Sequence, residues 1–90
     1  MDLEYDAEKD AANRDKHGVS LAEAVKLEML AVLKDDRFEY GEARYRAWGL
    51  IDGTYFALAF TIRGERIRPI SLRRAHAREI KRYVAKQDET

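Results

Sequence analysis

Between Arg66 and Val84 the segment RIRPISLRRAHAREIKRYV places seven cations, Arg66, Arg68, Arg73, Arg74, Arg78, Lys81 and Arg82, within nineteen residues. Guanidinium groups donate to phosphate or carboxylate oxygens two N–H groups at a time, so such a run suits a polyanion or an acidic partner. Its plainer use is a solvated helix face. Proton-transfer chemistry has candidates in His17, His76, Glu79, Tyr83, Glu42 and Lys16. Glu79 and Tyr83 stand at i and i+4 and share one face of any helix that spans them. The structural alternative is that Tyr83 packs with Ile80 and Val84 while Glu79 pairs with Arg78 or Arg82. His17 also has a structural use, because a cation near a helix C-terminus is favourable.

The elements that must position these groups are legible in outline. DLEY reads as a short edge strand. Asp6 is a good N-cap for a helix over AEKDAANRDKH, and Gly18 supplies its left-handed stop. Ser20-Leu-Ala-Glu23 has the form of a capping box, which predicts a second helix from about Leu21 to Leu33 with a broad apolar face. The period then shortens. ARYRAWGLI and TYFALAFTI read as strands joined at Asp52-Gly53, a strong hairpin signal. Arg63-Gly64-Glu65 makes another turn into a third strand, RIRPISLRR, with a fourth strand expected from Phe38 or the N-terminus. Pro69 has no N–H for a ladder, so its strand lies at an edge or is bulged there. From about His76 the spacing of Ile80, Tyr83 and Val84 is helical. The predicted order is β-α-α-β-β-β-α, an α+β domain with helices on one face of an antiparallel sheet.

Ninety residues predict a single domain, 1–90, near the size at which one core can hold a fold. The sequence has no cysteine, which excludes disulfides, thiolate metal sites and thiol catalysis. No apolar run approaches the length of a membrane helix, and the start MDLEYDAEKD is acidic, unlike a signal peptide; a soluble cytoplasmic protein is expected. The formal charge is zero but unevenly spread. Met1–Ile62 holds 8 Lys/Arg against 13 Asp/Glu, a net −5, and Arg63–Thr90 holds 9 against 4, a net +5. The basic end is the expected side for a polyanion.

Tyr5-Asp6, Lys9, Ala12, Asn13, Lys16-His17-Gly18-Val19-Ser20 and Glu23-Ala24 open a series that continues through Glu42, Arg44, Gly49, Thr61 and Arg63. It ends in Ile67-Arg68, Ile70-Ser71, Arg73-Arg74-Ala75, Glu79 and Tyr83. In this order and spacing the chain resembles the BrnT toxins of bacterial type II toxin–antitoxin systems, with KHGVS and IS.RRA as the most telling pair. The resemblance implies a RelE-like fold and a translation-inhibiting ribonuclease that uses no metal cofactor. It also implies a ribbon-helix-helix antitoxin, BrnA, as partner in a two-plus-two assembly.

A metal-free ribonuclease needs a base for the 2′-OH, cations for the phosphorane and a proton donor for the leaving 5′-oxygen. Arg63, Arg68 and Arg73 are expected to contact the phosphate or transition state, and Lys16, Arg44, Arg66, Arg74 and Arg78 to contact RNA. Strict alternation along RIRPISLRR would put Arg68 and Arg74 on one side and Arg73 on the other. Glu79 and Tyr83 stand as catalytic candidates in the last segment. The resembling family usually has Thr where this chain has His76, so a threonine cap is exchanged for an imidazole beside Arg73 and Arg74. His76 thereby becomes a further candidate for proton transfer. Pro69 and Leu72 also depart from the family's usual residues, which bears on the strand geometry beside the arginines. The competing function is a catalytically silent module that binds nucleic acid or protein through the same arginines, a reading that zero net charge favours.

Overall fold

The computed structural model describes residues 2–37, 39 and 41–85. Asp6 and Gly18 bracket helix α1, Ala7–His17, as the sequence predicts. Asp6 Oδ1 accepts the Lys9 N–H at 2.7 Å, and Gly18, at φ 73°, donates its N–H to Arg14 O at 2.8 Å.

The second predicted helix is a correction. Ser20 does start a helical segment, its Oγ accepting the Ala22 N–H at 3.1 Å, but a short 3-10 helix ends at Lys26 (Leu21–Lys26). Glu23, the other half of the expected box, pairs instead with Lys26 at 2.9 Å. From Glu28 to Lys34 the chain is strand β1. EMLAVLK is a short apolar run that periodicity cannot divide between helix and strand. It is drawn into the sheet by pairing with β2, Arg44–Ile51, in antiparallel register from Glu28↔Leu50 to Lys34↔Tyr45.

β2 turns through Asp52-Gly53 into β3, Thr54–Arg63; φ is 49° at Asp52 and 80° at Gly53, the pair of positive values that a type I′ turn requires. β3 turns at Gly64 into β4, Arg66–Arg74, and the four strands lie in the order β1-β2-β3-β4, all antiparallel. The fourth strand therefore comes from Glu28–Lys34. Phe38 lies outside the described residues. DLEY forms no strand: Leu3 makes one parallel bridge to Ile67, through Glu4 N–H to Ile67 O and Ile67 N–H to Asp2 O, each 2.9 Å.

The helices do not share one face, a second correction. α1 and the 3-10 helix cover the side bearing Ala47, Leu58, Phe60 and Leu72, where Leu21 and Ala24 are fully buried. Burying one such leucine contributes about 1.5–3 kcal/mol. Asn13 fastens α1 to that side, its Nδ2 donating to Val19 O and Leu72 O at 2.8 and 2.9 Å while its Oδ1 accepts the Leu72 N–H at 3.1 Å. The last segment crosses to the opposite face, as α2, Ala77–Glu79, continuing into a wide π turn, Ile80–Val84. There Val84 packs with Ala31, Trp48 and Ala57. The observed order, helix, 3-10 helix, four strands and helix, is an α+β fold that differs from β-α-α-β-β-β-α.

β4 carries the third correction. Ala59 pairs with Ser71 but Phe60 pairs with Pro69, so Ile70 is the extra residue of a bulge. A bulge resets the alternation of a strand. Pro69 and Leu72, opposite Phe60 and Leu58, thus share the buried face, while Arg68, Ser71 and Arg73, opposite Thr61, Ala59 and Ala57, share the other. Arg68 and Arg73 are on one side of the strand, not on two.

Candidate active site

The face that α2 covers only in part is a trough. Reading across it, Arg46 on β2, Ala59 on β3 and Ser71 on β4 form one row, and Trp48, Ala57 and Arg73 form the next. The alanines of β3 make a low floor between taller side chains on β2 and β4. A cavity of about 240 Å³ lies here, walled by Arg37, Arg46, Trp48, Ser71, Arg73 and Glu79.

Arg73 is fixed by the start of α2. Its Nη1 and Nη2 donate to Glu79 Oε1 and Oε2 at 2.7 and 3.0 Å, and Nη1 also donates to Arg74 O at 3.1 Å. Of the five N–H donors of a guanidinium, those at Nε and one at Nη2 remain for a ligand. The Glu79 carboxylate also accepts the Trp48 Nε1–H at 3.2 Å and the His76 backbone N–H at 2.9 Å. That last bond is the carboxylate half of a capping box, so Glu79 holds the start of α2, where His76 stands in place of the threonine.

Hydrogen bonds from Arg73, together with those from His76 and Trp48, lower the Glu79 carboxyl to about 2. The same pairing raises Arg73 above its ordinary value. Glu79 is therefore a carboxylate at neutral pH and a weak base, since a general base works best with a pKa near the working pH. Its geometry suits positioning of Arg73.

Tyr83 is placed by the π turn on the face of Trp48, with ring centroids 4.0 Å apart and planes 14° apart. It also packs against the cluster that holds Val84, as the structural alternative had it for Tyr83. The Arg46 guanidinium carbon lies 5.2 Å from the Trp48 ring and 5.5 Å from the Tyr83 ring, within cation–π range. Arg82 lies 5.5 Å from the other partner, Tyr83.

Beyond the bulge a second cavity, about 220 Å³, runs between α1 and β4 and is lined by Lys9, Asn13, Lys16, His17, Ile70 and Ser71. Ser71 borders both cavities. Burial, then the neighbouring cations Lys16 and Arg73, hold the His17 imidazole below its ordinary 6.5. His17 is thus the neutral, proton-accepting form at pH 7.

The sequence-derived candidates divide by location. Arg73, Glu79 and Tyr83 come together at the trough, with His76 exposed at the start of α2, and Lys16 lies across the bulge. Arg68 shares the face by register but is drawn to the N-terminal segment, 3.9 Å from Glu4 and 3.7 Å from Asp6. Arg63 pairs with Glu42 at 3.6 Å at the far end of β3, where Arg66 faces it across the turn and Arg44 pairs with Thr61. Seven strand positions separate Arg66 from Arg73, roughly 23 Å at about 3.3 Å per residue, so Arg63, Arg68 and Arg73 do not converge on one phosphate. Arg74 is exposed on the opposite face, beside Phe56, and Arg78 is exposed on the outer side of α2. Sequence reading missed Arg46 and Trp48. Their alternate spacing with Arg44 in ARYRAW places all three on one side of β2, which was the available signal.

No curated protein matches the chain. A family model described as "Ribonuclease toxin, BrnT, of type II toxin-antitoxin system" matches residues 5–79, which include α1, all four strands, Arg73 and Glu79. The chain belongs to the BrnT family of ribonuclease toxins of type II toxin–antitoxin systems.

Proposed function

We propose that the chain is an endoribonuclease that needs no metal, that it cleaves RNA in the trough between Arg46 and Arg73, and that its cutting of messenger inhibits translation. The observation that carries this reading is the Arg73–Glu79 pair, which orients a guanidinium at the wall of an open cavity with two donors still to give. In the reaction the 2′-oxygen bonds to the adjacent phosphorus and the bond from phosphorus to the 5′-oxygen breaks. A cyclic 2′,3′-phosphate and a 5′-hydroxyl result. One proton leaves the 2′-oxygen and one is taken up by the 5′-oxygen.

Arg73 stabilises the charge that builds on the non-bridging oxygens, an effect that preorganised donors supply without rearrangement at the moment of reaction. Glu79 aims Arg73. His17, held neutral by burial and by Lys16 and Arg73, is the proton acceptor we assign. The fold is read as RelE-like. The partner is read as a BrnA-like ribbon-helix-helix antitoxin that binds in a two-plus-two complex in the cytoplasm and covers the trough.

Expressing the chain alone in bacteria tests this. Growth arrest and fragmentation of RNA are expected, abolished by Arg73→Ala, reduced by His17→Gln and little changed by His76→Thr. Purified chain should cleave RNA in EDTA, leaving cyclic phosphate ends. Folded protein with neither arrest nor cleavage would leave the binding-module reading standing.

A further inference from the structure

We infer that Arg46 is a phosphate-binding residue for RNA, gripping a phosphodiester from the β2 side of the trough opposite Arg73. This rests on the ribonuclease reading and adds a residue and a subsite to it. Three guanidiniums wall the cavity, and two have a carboxylate of their own. Arg37 is bidentate to Asp35, Nε to Oδ1 at 2.8 Å and Nη2 to Oδ2 at 2.9 Å, and Arg73 is bidentate to Glu79. Arg46 has none among the described residues, and its buried Nε finds no acceptor. A buried donor without an acceptor is uncommon in a folded protein and calls for a specific explanation, such as a missing ligand.

Two features specify the ligand. The Trp48 and Tyr83 rings hold the guanidinium in place without neutralising it, so the cavity keeps one uncompensated positive charge beside small uncharged residues, Ala57 and Ala59. At about 240 Å³ the cavity is also smaller than the roughly 300–1,000 Å³ that engulfs a free small molecule. It suits an anionic group projecting from a longer chain. Arg46 and Arg73 stand two strands apart and two residues out of register, a span of about 12 Å between backbones from the strand spacing and rise, which their long side chains can close from both sides around one phosphate.

Trp48 is the single tryptophan of the chain and lies against Arg46, so its fluorescence reports the subsite directly. The probe is a 2′-O-methyl RNA oligonucleotide, which has no nucleophilic 2′-OH and cannot be cut. Wild-type chain should bind it with a change in Trp48 emission. Arg46→Met should weaken binding about tenfold or more and lower the slope of log affinity against log salt by roughly one. Arg46→Lys should keep the slope and lose part of the affinity.

Unchanged affinity and slope in a folded Arg46→Met chain would overturn the inference. Should that variant fail to fold, the Nε–H signal of Arg46 in wild-type chain decides by nuclear magnetic resonance: a shift on adding the oligonucleotide supports it and no shift overturns it. A shift with a glutamate-rich peptide but not with RNA would also overturn it. Arg46-dependent binding without cleavage of ordinary RNA would sink the nuclease reading and leave the subsite, whereas cleavage indifferent to Arg46 would do the reverse.

Discussion

Glu79 accepts four hydrogen bonds, two from Arg73, one from the Trp48 indole and one from the His76 backbone, and so ties β4, β2 and the start of α2 into one unit. Its carboxyl lies near 2 in the fold against an ordinary 4.5. A depressed carboxylate stabilises the folded chain fully above pH 4.5, and that contribution drains away as pH falls toward 2. Glu79→Gln should cost about 1.5–3 kcal/mol at pH 7, the range for hydrogen bonds to a charged group. The variant should also flatten the fall in Tm between pH 4.5 and 2 relative to wild type, as thermal melts at several pH values would record. Cleavage should drop on the order of 10²-fold, because a misplaced catalytic group loses that much. Glu79 and Arg73 were both visible in the sequence, but their pairing was not. Helical spacing offered Arg78 and Arg82 as partners for Glu79, and only the turn between β4 and α2 brings Arg73 back onto it.

Elements fix which of the arginines can cooperate. The bulge at Ile70 moves Arg68 and Arg73 onto one face, and no count of alternating residues contains that extra position. Pro69 did announce a disruption there, since it cannot complete a ladder. The β2–β3 hairpin was legible from Asp52-Gly53, and α1 from its two caps, because those signals are local. β1 was not, because EMLAVLK becomes a strand only in the presence of β2. The contact is close at Gly49: a Cβ built there would collide with the backbone carbonyl of Glu28. Gly49→Ala should therefore destabilise the chain by about 1–3 kcal/mol, the usual cost of overpacking. Hydrogen exchange should show the amides of Glu28–Lys34 losing protection before those of β3.

Over the whole molecule, charge and connectivity divide differently. The basic end supplies Arg73 to the trough, but Arg46 and Arg37 come from the acidic stretch Met1–Ile62, so the +5 of the C-terminal third was a partial guide to the site. Neutral overall charge is compatible with RNA binding when one guanidinium in a cavity has no carboxylate of its own. Among the described residues no helix is long and apolar enough to cross a membrane. The strands pair in chain order, β1 to β4, whereas α1 is held by Asn13 to Leu72, 59 positions away. Asn13→Ala would leave the Leu72 and Val19 backbone groups without partners, at about 1–3 kcal/mol for each left buried. Because local pairings form before distant ones are rewarded, stopped-flow measurements should find that this variant unfolds faster while folding at nearly the wild-type rate.

The Asn13 clasp also sets a timetable for synthesis. The ribosome releases α1 first, yet its clasp on the sheet cannot close until the carbonyl of Leu72 has left the exit tunnel, and Arg73 and Glu79 emerge only just after it. The stretch of synthesis that lets α1 close on β4 thus also delivers Arg73 and Glu79, so the trough is completed together with the fold and not ahead of it.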